Sequence, residues 1–150
     1  MSDARQHQVV VGLDGSANSA AAVAWALDYL DRSGGGELRV VMTWNYAPTL
    51  SVGYAVGGSV PPAEAMEEAT EAALEELLAD LTVPASVTVK KVVHEGSAAR
   101  VLINEGESAD MIVLGKRGHG GFLGLLLGSV ATQVVNHAPC PVVVVPSASK

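Results

Sequence analysis

The chain has 150 residues, 49% of them hydrophobic and 17% charged, with 9 Lys and Arg against 16 Asp and Glu for a formal charge of −7. This composition excludes a disordered chain and provides for one domain, residues 1–150, with a sizeable core. The lone Cys140 excludes a disulfide framework and a cysteine-built zinc site, and points to the reducing cytoplasm.

No basic start followed by an apolar stretch precedes the first strand-like run, so no signal peptide is expected. Val9, Val10, Val11 and Leu13 form a β-branched apolar run punctuated by Gly12, Asp14 and Gly15, which predicts a buried strand. Ser16 then caps a helix whose apolar positions are Ala20, Val23, Ala24, Leu27 and Leu30, stopped by Gly34, Gly35 and Gly36. Leu38 to Trp44 reads as the second strand. From Asn45 to Pro62 the breakers Pro48, Gly53, Gly57, Gly58, Pro61 and Pro62 predict a long binding loop. The next helix carries Met66, Ala69, Ala73, Leu74, Leu77, Leu78 and Leu81 on one face. Its other face holds Glu64, Glu67, Glu68, Glu71, Glu75, Glu76 and Asp80, expected to be a solvated surface.

Val87 to Val93 is the third predicted strand, Ala98 to Glu105 a helix begun by Ser97, and Met111 to Leu114 the fourth strand. After a glycine-rich stretch, Ser129 opens a helix to about Asn136, and Val142 to Val145 forms the fifth strand. Apolar strands alternating with helices predict an α/β fold, an open five-stranded parallel sheet covered by helices on both faces. The acids between Arg39 and Lys90 make a surface that repels nucleic acid and anionic membrane. The uncharged stretch from Gly118 to Ser149 is too broken by glycine and polar residues to span a membrane.

In such sheets ligands sit beyond the carboxyl ends of strands where the chain order reverses. Two segments stand there: Gly12-Leu13-Asp14-Gly15-Ser16 and Gly115-Lys116-Arg117-Gly118, the latter leading to Gly128-Ser129 at a helix start. Glycines let a backbone approach phosphate closely, and the first N–H groups of a helix favour an anion, so Gly115, Gly118, Gly128 and Ser129 form a candidate phosphate cradle. Turn-forming glycines are the plain alternative. Neither a P-loop, which needs Lys before the Ser, nor a G-x-G-x-x-G fingerprint is present.

The spacing Gly115-x2-Gly118-x9-Gly128-Ser129 resembles the ATP-binding signature of the universal stress protein family. The flanks resemble it too: Val9 to Gly15, Ala109 to Leu114, and Pro139 to Val145, so that the likeness runs from about residue 6 to 146. This resemblance implies a Rossmann-like sheet of strand order 3-2-1-4-5, a cytoplasmic nucleotide-responsive stress protein, and a homodimer through Val142–Val145. It also implies site roles. Asp14 and Gly12 would meet the ribose or adenine edge, and Trp44 would lie against adenine or fill core. Leu114 and Gly115 would pass along the nucleoside, and Gly118, Gly128, Ser129 and Val130 would surround the phosphates. Lys116 and Arg117 are the paired cations beside the cradle, and Mg2+ held by phosphate oxygens and water would supply the remaining positive charge. Thr132 reads as a helix residue and His119 as an exposed loop residue.

No residue set suggests hydrolytic chemistry, and Cys140 between two prolines reads as a structural thiol. The leading expectation is therefore an ATP-binding stress protein without a catalytic centre. A partner-binding stress module that does not use nucleotide is the alternative, and an ATP-hydrolysing or adenylating enzyme the third.

Overall fold

The computed structural model describes residues 6–45, 61–117 and 127–146. The elements run β1 (His7–Gly12), α1 (Ala17–Arg32), β2 (Gly36–Trp44), α2 (Ala63–Ala79), β3 (Val87–Glu95), α3 (Ala98–Gly106), β4 (Met111–Gly115), α4 (Ser129–His137) and β5 (Val142–Val145). All pairings are parallel, in the order β3-β2-β1-β4-β5, which is the predicted order. β2 and β3 are longer than predicted, because the two strands stay paired from Gly36 with Val87 to Trp44 with Glu95.

Side chains alternate across each strand, so the two sheet faces collect different residues. Val9, Val11, Leu38, Val40 and Val113 pack under α1 and Leu74 of α2. Val10, Val41, Ile112 and Leu114 pack under α3 and α4 through Val101, Leu102, Ala131 and Val134. The result is three layers with two helices on each face. α1 is firmly seated, burying Ala22, Val23, Ala26, Leu27 and Leu30. α2 is not: only Leu74 is fully covered, Ala69 is exposed and Leu77 is 38% exposed, so the apolar face expected there is only partly used.

Two polar features fasten the layers. Gln8 N–H donates to Asp110 Oδ2 (2.8 Å), and Asp110 N–H returns a bond to Gln8 O (2.7 Å), locking the entrance of β1 to that of β4. Arg39, only 9% exposed, donates from Nη1 to Glu105 Oε1 (2.8 Å) and from Nη2 to Ser108 O (2.8 Å) and Gln8 Oε1 (3.1 Å). A buried guanidinium held this way ties α3 to the sheet, and removing one partner of such a pair costs about 3–5 kcal/mol. Sequence reasoning did not anticipate this network, since a single Arg in a strand carries no signal of what it meets.

Candidate functional site

The connection after β1 leads outward to β2 and that after β4 leads the other way to β5, so the chain order reverses between the adjacent strands β1 and β4. In a parallel sheet the ligand crevice lies beyond the carboxyl ends of the strands at such a switch point, and both candidate segments follow those ends.

The β1–α1 segment is braced by its own side chains. Gly15 has φ +88°, a left-handed conformation that turns the chain into α1 and that glycine adopts without steric cost. Asp14 Oδ1 accepts from Ser16 N–H (2.9 Å), closing an Asx turn, while Ser16 Oγ accepts from Ser19 N–H (3.1 Å) as the predicted helix cap. Ser19 Oγ in turn accepts from Asp14 N–H (3.2 Å). Gly12 faces inward, where a Cβ would lie 3.1 Å from Leu102 Cδ1 and 3.4 Å from Leu114 Cδ2. Below this segment an open, mainly apolar cleft is lined by Leu13, Gly15, Ser16, Ala20, Val23, Leu77 and Leu81.

The β4–α4 segment is built differently. Leu114 is buried in the α3/α4 core. Gly115 is glycine for a packing reason: a Cβ there would stand 2.6 Å from the carbonyl carbon of Asn18, in the first turn of α1. Lys116 uses both backbone groups, donating N–H to Val145 O (2.9 Å) and accepting from Gly128 N–H (2.9 Å). The two ends of the glycine-rich stretch are thereby pinned together across the start of α4. Lys116 and Arg117 are half-buried. Gly118 and His119 fall outside the described residues, as does 46–60 of the predicted binding loop.

Gly128 is the N-cap of α4 and supplies no side-chain acceptor. Thr132 N–H is the first to bond back, to Gly128 O (2.9 Å), and its hydroxyl donates to the same oxygen (2.8 Å), so Thr132 belongs to the helix. The N–H groups of Ser129, Val130 and Ala131 have no acceptor among the described residues. Ser129 and Val130 are exposed.

The third border of the crevice is the end of β2. Gly12, the last residue of β1, pairs with Val41, so Met42, Thr43 and Trp44 run past it by about 10 Å. Val41 O accepts from Leu13 N–H (2.9 Å) and Trp44 O from Gly96 N–H (2.9 Å). Backbone groups alternate sides along a strand, so those of Thr43 point over the end of β1. They meet no strand there among the described residues. Trp44 is 8% exposed, and its indole Nε1 donates to Glu67 Oε1 of α2 at 2.7 Å. Thr43 and Glu67 were not singled out from sequence. The overrun of β2 is a pairing property, and Glu67 sits among acids that look alike in the sequence.

Cys140 is half-buried beside Gly106. Burial pushes its thiol up from the ordinary cysteine value and the charge of Asp110 adds to this, outweighing a backbone hydrogen bond involving Ile112. A thiol raised in this way holds less of the thiolate form that attacks. Among the described residues no three His, Cys, Asp or Glu side chains come together as a metal site, and no helix is long and apolar enough to cross a membrane.

Residues 6–146 match the universal stress protein family along that whole length. The chain belongs to the universal stress protein family. A universal stress protein of Mycolicibacterium smegmatis is 35% identical over 142 residues, covering 91% of this chain and 45% of that protein. The chain thus spans about half the length of the curated relatives it matches. Among solved structures of this fold, a universal stress protein in complex with cAMP has TM-score 0.59 and 22% identity, covering 95% of this chain and 98% of that one. An Arabidopsis thaliana universal stress protein family member with AMP bound has TM-score 0.59 and 17% identity, covering 95% of this chain and 93% of that one.

Proposed function

We propose that this universal stress protein domain, residues 6–146 acting as one unit within 1–150, binds ATP with Mg2+ in the crevice between β1 and β4 and signals by occupancy rather than turnover. The observation that carries the reading is the start of α4, where the N–H groups of Ser129, Val130 and Ala131 face the switch point without a side-chain cap. Such a helix end attracts phosphate. The nucleotide complexes of the two structural relatives support the same choice of ligand class.

In this reading Gly118, Gly128, Ser129 and Val130 surround the phosphates, with Lys116 and Arg117 beside them. Mg2+ is held by phosphate oxygens and water, which asks for no cluster of protein carboxylates. Leu114 and Gly115 carry the nucleoside past the end of β4, opposite Gly12. Asp14, exposed just beyond the end of β1, meets the ribose. The base lies against the end of β2, where Thr43 offers a backbone donor and acceptor and Trp44 the flank. No residue is assigned as a general base.

Calorimetric titration of nucleotide-stripped protein with ATP and Mg2+ tests this. Saturation near one ATP per chain, lost in a Gly118→Val, Gly128→Val variant of unchanged circular dichroism, is the expected result. No heat from folded wild type at several temperatures and millimolar ATP overturns it in favour of a module that binds partners without nucleotide.

A homodimer is the second part of the proposal, because the two sheet edges differ. β3 is guarded by Lys90, Lys91, His94 and Glu95, the usual defence of an edge, whereas β5 is Val142 to Val145 alone. We place the protein in the cytoplasm, as the single thiol suits a reducing compartment. Light scattering at micromolar concentration checks the dimer: a monomeric wild type, or a Val143→Pro, Val145→Lys variant that still dimerises, sinks it.

A further inference from the structure

We propose that Glu67 is the positioning residue for the base end of the crevice: by holding the Trp44 indole it fixes the adjoining Thr43 peptide and, with it, a preference for adenine over guanine. This rests on the nucleotide reading above. Thr43 lies in the stretch of β2 that overruns β1, and its N–H and C=O point over the end of β1. An adenine edge offers a ring-nitrogen acceptor beside an amino donor. The matching edge of guanine offers a donor beside a carbonyl acceptor, the reverse order. A backbone donor and acceptor held in place therefore tells the two apart, and the discrimination lasts only while the peptide is held.

Among the described residues two contacts hold it. On one side β2 stays paired with β3 up to Trp44 and Glu95. On the other, the Trp44 side chain is gripped by Glu67 through a short hydrogen bond to a carboxylate, 2.7 Å from Nε1 to Oε1. Glu67 differs from its neighbours on α2: it is half-buried, while Glu64, Glu68, Glu71, Glu75, Glu76 and Asp80 are exposed. Trp44 is only 8% exposed, so withdrawing the carboxylate removes an acceptor that water replaces poorly, and the shift of the side chain is passed to the Thr43 peptide beside it. The phosphate end is fastened separately, by the bond between Lys116 and Gly128, and does not share this contact.

The test titrates wild type, Glu67→Ala, Glu67→Gln and Trp44→Phe with ATP, GTP and inorganic tripolyphosphate, alongside thermal denaturation. Glu67→Ala is expected to weaken ATP about tenfold and to lower the ATP-to-GTP affinity ratio, with tripolyphosphate changed by less than about twofold. Trp44→Phe, which keeps a ring and loses the N–H, is expected to behave alike, and Glu67→Gln, whose amide oxygen still accepts, to restore most of the preference. Equal weakening of all three ligands, or an unchanged ATP-to-GTP ratio in Glu67→Ala, overturns the assignment while leaving the nucleotide reading standing. Absence of ATP binding by wild type in the same titration overturns both.

Discussion

The helix that follows β1 and the helix that follows β4 start at the same crevice, yet their first turns are finished in opposite ways. α1 begins on Ser16, whose hydroxyl accepts from Ser19, and the preceding Asp14 is folded back onto Ser16. α4 begins on Gly128, which has no side chain with which to do the same. α3 follows the first pattern, with Ser97 accepting from Arg100. α2 also lacks a side-chain cap, but it carries Glu64 in its first turn, a fixed negative charge that α4 does not have. A capped end serves the fold; an uncapped end with no acid in its first turn, at the switch point of the sheet, is what the proposed phosphate site rests on.

That contrast can be broken most forcefully at Gly115. It sits in the glycine motif but touches the first turn of α1, so Gly115→Val is expected to cost about 3 kcal/mol or more of stability by chemical denaturation, against Asn18 backbone that cannot yield. A Gly115→Val protein of unchanged stability would show that the contact with Asn18 does not hold this position. Ser129→Pro is the next test. Proline suits the first position of a helix and removes an N–H, so ATP binding should weaken about tenfold while stability stays within about 0.5 kcal/mol. Parallel titration and denaturation decide it, and a loss of stability without a loss of affinity would reverse the assignment. Ser16→Ala should do the opposite, costing about 1 kcal/mol of stability with little change in ATP affinity. The smallest effect belongs to Asp14→Asn, which keeps the Asx-turn acceptor and should change the unfolding free energy by less than about 0.5 kcal/mol. A larger shift would show that the charge, and not the turn, matters there.

Much of this was legible in advance because periodicity and punctuation are local. The run Val9–Val11, the apolar spacing of Ala20 to Leu30 and the serines at positions 16 and 97 announce their elements without reference to the rest of the chain, although within α1 it is Ala22 and Ala26 that are buried while Ala20 and Ala24 are exposed. The resemblance added the strand order, which local patterns do not contain. What escaped depends on distant partners. Arg39 is a buried hub because Gln8 and Glu105 arrive from other elements, and Glu67 departs from a row of solvated acids only because Trp44 lies opposite. The apolar stripe of α2 was over-read for the same reason, since a stripe shows what can be buried and not what comes to cover it. At the candidate site, Gly115 and Gly128 look equivalent in the motif, and only the position of α1 separates them.

The seam between β1 and β4 has a consequence in time as well as in space. Gln8 and Asp110 bond reciprocally although 102 positions apart, so the central pairing waits for a very long loop to close, whereas β1 with β2 is joined through a single helix. Long-range parallel pairing is slow because its entropy cost is met before its contacts are gained. During synthesis the strands β1, β2 and β3 are therefore available well before β4 can join them, and the crevice, whose two lips come from segments far apart in the chain, cannot form before β4 arrives.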